Sequence, residues 1–191
     1  MKENLLPPSG GYPKLISYQK AECVFDLTYY FCHKYLERGD RTIDQMIQAA
    51  RSGKQNIAEG SAASATSKET EIKLMNVAKA SLEELLLDYK DYLRTRNHII
   101  WEVNSKEVAA MGKLGRQHND SSFYMQLAKT RPPETIANMV LSLINQTTYL
   151  LRRQINALGE DFLKEGGFRE RMTRLRLDER KNKVNSHGTK R

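Results

Sequence analysis

Residues 54–93 read KQNIAEGSAASATSKETEIKLMNVAKASLEELLLDYKDYL, and the second half of this stretch decides the fold. From Glu71 onward, apolar side chains recur at Met75, Ala78, Leu82, Leu85, Tyr89 and Tyr92. Steps that alternate between three and four residues are the seam of a helix packed along its length against other helices. Leu74, Leu86 and Leu93 widen that seam, while Lys73, Asn76, Lys79, Glu83, Lys90 and Arg94 fall on the opposite, solvated side. Ser67 precedes the helix, and Glu69 and Glu71 lie in its first turn, where a hydroxyl cap and negative charge are both favourable.

Working outward, three more segments carry the same periodicity. Ser17 to Arg38 places Tyr18, Ala21, Phe25, Thr28, Cys32 and Tyr35 or Leu36 on one face, with Val24 and Tyr29 beside it. Asp40 or Thr42 caps a second helix whose stripe is Ile43, Met46, Ile47, Ala50 and Ile57, with Gly53 and Gly60 in the pattern. Glycine in a helix costs about 1 kcal/mol relative to alanine, and is tolerated where another helix comes close. Lys54 projects onto this stripe in a straight helix, so it must snorkel or be swung outward. The last helix starts at Pro133-Glu134 and packs through Ile136, Val140, Leu143, Thr147, Leu150 and Leu151, with Met139 alongside. Its outer face, Asn138, Ser142, Asn145, Gln146 and Asn156, is polar but nearly uncharged, which is compatible with a subunit contact, and Arg152 and Arg153 follow on that side.

The expected architecture is therefore all-α: an antiparallel up-and-down four-helix bundle with a long insertion before the last helix and a basic C-terminal tail. The expected boundaries are a flexible leader over 1–16, a bundle over 17–166 with helices at about 17–38, 41–60, 68–96 and 134–158, and an insertion over 97–132. The tail follows at 167–191. Within the insertion, Ser105 can cap a helix containing Val108, Met111 and Leu114, and Phe123 to Leu127 is a further short apolar piece.

The chain has 191 residues, 39% hydrophobic and 28% charged, an ordinary soluble composition. No apolar run reaches the ~18–20 residues that span a bilayer, and the N-terminus lacks a signal-peptide core. A cytoplasmic protein without membrane contact is the expectation, with Cys23 and Cys32 as reduced thiols. Nine residues apart on one helix, they lie on opposite sides, Cys32 on the apolar stripe and Cys23 off it.

The net charge of +8 is unevenly placed. Residues 168–191 hold nine Lys/Arg against three Asp/Glu, so the tail carries +6 of it. FRERMTRLRL puts Phe168, Met172 and Leu175 at i, i+4 and i+7 with arginines between, so it can form a basic amphipathic helix once it has a surface to lie on; KNKVNSHGTKR after it is expected to stay disordered. Three roles are open to such a tail. Its arginines can bond phosphate oxygens without reading bases, its apolar side can dock on the bundle or a partner, or it can serve solubility alone. For the first role the candidate residues are Arg169, Arg171, Arg174, Arg176, Lys181 and Lys183, supported by Arg152 and Arg153.

Signals for catalysis are missing. His33, His98, His118 and His187 form no His-x-x-x-His or Glu-x-x-His pair, and no phosphate-cradling or nucleophile-elbow motif is present. Helical ribonucleases of the HEPN group separate an arginine and a histidine by four to six residues. Arg94 and His98 have three between them, and Arg116 and His118 have one. No cofactor, metal or catalytic residue is expected, and Glu83 and Glu84 read as surface charge with i,i+4 partners such as Lys79.

One further signal is a resemblance. QNIAEGSA at 55–62, Ser67 and Glu69, and AKASLEEL at 78–85 resemble the four-helix-bundle family named after proteins encoded in intervening sequences of bacterial large-subunit ribosomal RNA genes. That family includes the accessory variability protein of diversity-generating retroelements. The matching positions include Asn56, Glu59, Gly60 and Ser81, read as a structural motif in which Asn56 and Glu59 bond a neighbouring helix end or an adjacent subunit, the alternative being a direct ligand role for those two. The resemblance also implies a ring-like homo-oligomer, a pentamer in relatives, with positive surface for RNA or DNA and a reverse transcriptase as partner. A non-enzymatic nucleic-acid-binding accessory protein is the expected function. The alternative is a structural assembly subunit whose tail recruits a protein.

Overall fold

The computed structural model describes residues 11–166 and 168–188, and within these says nothing of the side chains of residues 165, 168, 169, 171 and 182–188. Seven helices follow one another: α1 (Ile16–Tyr35), α2 (Arg41–Ala63), α3 (Lys68–Thr95), α4 (Lys106–Gln117), α5 (Ser121–Lys129), α6 (Pro133–Glu165) and α7 (Phe168–Gly188). The described residues contain no strand, so the chain is all-helical. Of the expected leader, residues 1–10 lie outside the described residues; Tyr12–Lys14 form a single 3-10 turn, and the Tyr12 ring meets Tyr18 edge-on at 4.8 Å.

The helix starts follow local chemistry. Asp40 accepts from the Thr42 N–H, Ser67 from Thr70, Ser105 from Val108 and Asp120 from Phe123, each satisfying an orphan donor of a first turn. α6 begins on Pro133, whose missing N–H costs nothing there. Several ends fall elsewhere than expected. α1 stops at Tyr35, α2 runs on through Ala63, and α6 continues through Gly159 to Glu165. Good helix formers after Gly159 carry α6 forward until Gly166, whose φ of +74 with ψ of −179 is a backbone conformation that glycine alone adopts readily and that ends the helix.

α1 packs against α2 and α6, and α3 packs against the same two helices. The expected seam of α3 is the observed one: Met75, Ala78, Leu82, Leu85, Tyr89 and Tyr92 are all buried, and the seam continues backward into Glu71. Burial pushes the Glu71 carboxyl above the usual range, against the pull of Lys68 at 3.5 Å. α2 meets α3 through its glycines. A Cβ on Gly53 would stand 2.8 Å from Leu82 Cγ, so Leu82 would have to shift to admit it, and one on Gly60 would stand 3.3 Å from Met75 Cε, a tight fit against the facing helix. Lys54 lies half-buried, its ammonium 3.9 Å from Glu22 and 4.5 Å from the centre of the Phe25 ring, which is how a lysine sits on that stripe.

Segment 97–132 reshapes two of the expected faces. α5 packs on α1, so Tyr124 and Ala128 are buried and α1 is covered on a further side. Cys23 was expected opposite the apolar stripe; it is fully buried instead, its thiol 3.5 Å from the Asn119 carbonyl. Likewise, the polar face of α6 is not a free surface along its first half. Asn138 Oδ1 accepts from the Trp101 N–H, while its Nδ2 donates to the Ile99 and Glu134 carbonyls, all at 2.9 Å. One amide thus pins the chain leading into α4 onto α6, and Asn138 and Ser142 are buried beneath it.

Burial pushes both thiols, Cys23 and Cys32, up to about 12. In the unfolded chain they titrate near ~8.5, so the unfolded state loses its protons first and stability is lost as pH rises. Each thiol should remove about 1.4 kcal/mol per pH unit between its unfolded and folded values. Urea unfolding between pH 8 and 10 checks this. The wild type should weaken steadily, and the C23A/C32A double variant should have a flatter profile.

Candidate nucleic-acid interface

The basic C-terminal stretch is a helix well past the point where disorder was expected. Residues 168–188 contain no proline and no glycine before Gly188, and FRERMTRLRLDERK is made largely of good helix formers. Glu170 stands in the first turn, where negative charge suits the helix dipole. The expectation that 181–191 is disordered is therefore corrected as far as Gly188; residues 189–191 lie outside the described residues.

Among the described residues, α7 lies along none of the other six helices. Arg174, Arg176, Arg180 and Lys181 are all exposed on it. Arg176 and Arg180 are one turn apart, and Arg174 and Lys181 are two turns apart on a different side. Cations thus project from more than one face of the helix. Arg169, Arg171 and Lys183 belong to the same helix, with their side chains outside the described residues. Met172 and Leu175 are half-buried and Leu177 is 50% exposed, a short apolar content for a helix of this length.

Arg152 and Arg153 are exposed on α6. Twelve helical residues separate Arg153 from the end of α6, about 18 Å at 1.5 Å per residue, so these arginines do not form one cluster with the start of α7. The positions matched by resemblance sit elsewhere again. Asn56 Nδ2 donates to the Ser52 carbonyl at 2.9 Å and to Ser52 Oγ at 3.1 Å, and Ser52 Oγ pairs with Ser81 Oγ at 2.9 Å. Asn56, Gly60 and Ser81 therefore share the α2–α3 contact, whereas Glu59 is exposed.

One concave feature escaped the sequence reading. A cleft of about 1000 Å³ opens between α1, α4, α6 and the 100–103 turn, and Arg153 is on its wall. Lys20 of α1 and Arg116 of α4 line it with Lys90 of α3. Lys20 had no signal in the periodicity, because its burial depends on α4: its ammonium donates to the Gly115 carbonyl at 2.7 Å. Gln146 Nε2 ties α4 to α6 by donating to the Met111 carbonyl at 3.2 Å.

Comparison of the chain with protein-family models, curated proteins and solved structures returned no match.

Proposed function

We propose that this chain is a non-enzymatic, nucleic-acid-binding accessory protein that grips the phosphate backbone through α7. The observation that carries the reading is a 21-residue helix with exposed Arg174, Arg176, Arg180 and Lys181 that, among the described residues, lies along none of the other six helices. Phosphate contact needs this kind of surface: exposed cations at a helical spacing, with no requirement for base recognition. Arg152 and Arg153 provide a second, separate contact on α6.

In this reading α1, α2, α3 and α6 form an antiparallel up-and-down four-helix bundle into which residues 97–132 are inserted. The short connections α1–α2 and α2–α3 support antiparallel neighbours, and so does the pairing of α1 and α3 with the same two helices. The resemblance of residues 55–62 and 78–85 to the intervening-sequence protein family extends the proposal to a cytoplasmic, ring-like homo-oligomer, a pentamer. Its partners are RNA or DNA and the reverse transcriptase of a diversity-generating retroelement. No described helix is long and apolar enough to cross a membrane.

The test is a variant with Arg174, Arg176, Arg180 and Lys181 all changed to Gln, titrated against duplex DNA and single-stranded RNA over a salt series. If these four side chains each neutralise a phosphate, the slope of log K against log salt on duplex becomes less negative by about 3–4. A slope unchanged from wild type removes α7 from the interface and favours recruitment of a protein partner by the tail.

A further inference from the structure

The cleft between α1, α4 and α6 has an unusual charge composition. Lys20, Lys90, Arg116 and Arg153 line it, and neither Asp nor Glu is among its lining residues. Three of these cations are exposed, as surface lysines and arginines generally are. Lys20 is different. It is 3% exposed, its ammonium makes one hydrogen bond, to the Gly115 carbonyl, and among the described residues it belongs to no ion pair. An ammonium has three hydrogens to donate, and a buried charge without a counter-charge is costly. Burial holds Lys20 below the usual lysine range, in keeping with that cost. A methionine of similar length would pack at this position of α1 without it.

The remaining wall is largely apolar, built from Trp101, Leu141, Tyr149 and Leu150 among others. Its volume is that of a small-molecule site. A bare inorganic anion would satisfy the lysine and leave the apolar wall wet. A neutral apolar molecule would cover the wall and leave the lysine unpaired. A molecule with both parts satisfies both.

We propose that this cleft binds a small organic anion, a flat apolar body bearing one carboxylate or phosphate group. Lys20, the buried cation of the wall, takes the headgroup, Arg116 and Arg153 add positive charge from the exposed part of the lining, and the body lies against Trp101 and Tyr149. Among the described residues no α7 side chain lines the cleft, so this site stands apart from the proposed α7 contact and shares only Arg153 with the second contact on α6.

The experiment is calorimetric titration of the full-length protein with 1-naphthoate, 1-naphthyl phosphate and the neutral, similarly shaped 1-naphthamide. At least one anion should bind tenfold or more tightly than the amide, and the tighter of the two identifies the headgroup. Lys20→Met should weaken that anion tenfold or more and leave the amide unchanged. Because Lys20 is buried, a second variant is needed on the open side. Gly112 lines the cleft and a Cβ there would meet only Arg116 Nη1, at 3.9 Å, so Gly112→Trp should place an indole in the cleft and weaken anion binding tenfold or more with the fold retained by circular dichroism. The proposal is overturned if the amide and both anions bind equally, if neither anion binds measurably, or if the preferred anion's affinity survives both variants.

Discussion

Replacing Phe31 by alanine will lower the free energy of unfolding by about 3–5 kcal/mol. Phe31 is fully buried, and its ring joins α1 to α3: it meets Tyr92 edge-on at 4.8 Å and Tyr89 at 5.2 Å. Tyr35, one turn along α1, lies 5.5 Å away. Removing the ring forfeits its transfer free energy, breaks these aromatic contacts, and leaves a void that flanking tyrosines cannot collapse into freely. Tyr89, for one, is held by its hydroxyl, which donates to Thr28 Oγ1 at 3.2 Å. A domain stable by ~5–15 kcal/mol would lose a large share of that margin. Urea unfolding followed by circular dichroism measures the loss. Tyr29→Ala is the control, since Tyr29 is 51% exposed and should change stability by about 0.5 kcal/mol or less. Equal effects at the two positions would mean that α1 presents a different face to the core.

That pair of residues also shows where the sequence could be read and where it could not. The seam of α3 is legible because α3 buries one continuous stripe between α2 and α6, so a period between three and four residues is all that is needed. α1 is covered by α2, α6 and α5. Its buried set therefore spreads over Lys20, Cys23, Leu27 and Phe31 as well as Ala21, Val24 and Thr28, and a single stripe drawn through Tyr18 and Phe25 misses half of it. The same cause operates on α6, where residues 136–144 are all buried. Asn138 and Ser142 look like an outer face until the chain around Trp101 is laid over them. Periodicity reports that a helix has an apolar side; it does not report that a polar side has been covered by a segment weak in pattern.

The candidate sites divide in the same way. A block of cations in 168–191 is visible in composition alone, and helix-forming residues between them let it be read as helical at least to Leu177. The cleft was invisible because Lys20, Lys90, Arg116 and Arg153 come from four separate helices and meet only once α4 is placed. Three of them are indistinguishable in sequence from solvated surface charge.

The central claim is that α7 supplies the phosphate contacts, and full-length protein compared with a 1–167 truncation tests it most directly. The buried hydrophobic core lies within residues 21–158, so the truncated chain should unfold at the same urea midpoint as the full chain. Affinity for duplex DNA and single-stranded RNA is then measured from 50 to 200 mM salt. With about six phosphates neutralised, the full-length protein should show a duplex slope near −5, a loss of about 10³ in affinity over that range. The truncation should bind weakly, with a shallow slope left to Arg152 and Arg153. A truncated protein that binds as tightly as the full chain, with the same salt slope, would contradict the account, as would a full-length protein that binds neither nucleic acid at 50 mM salt.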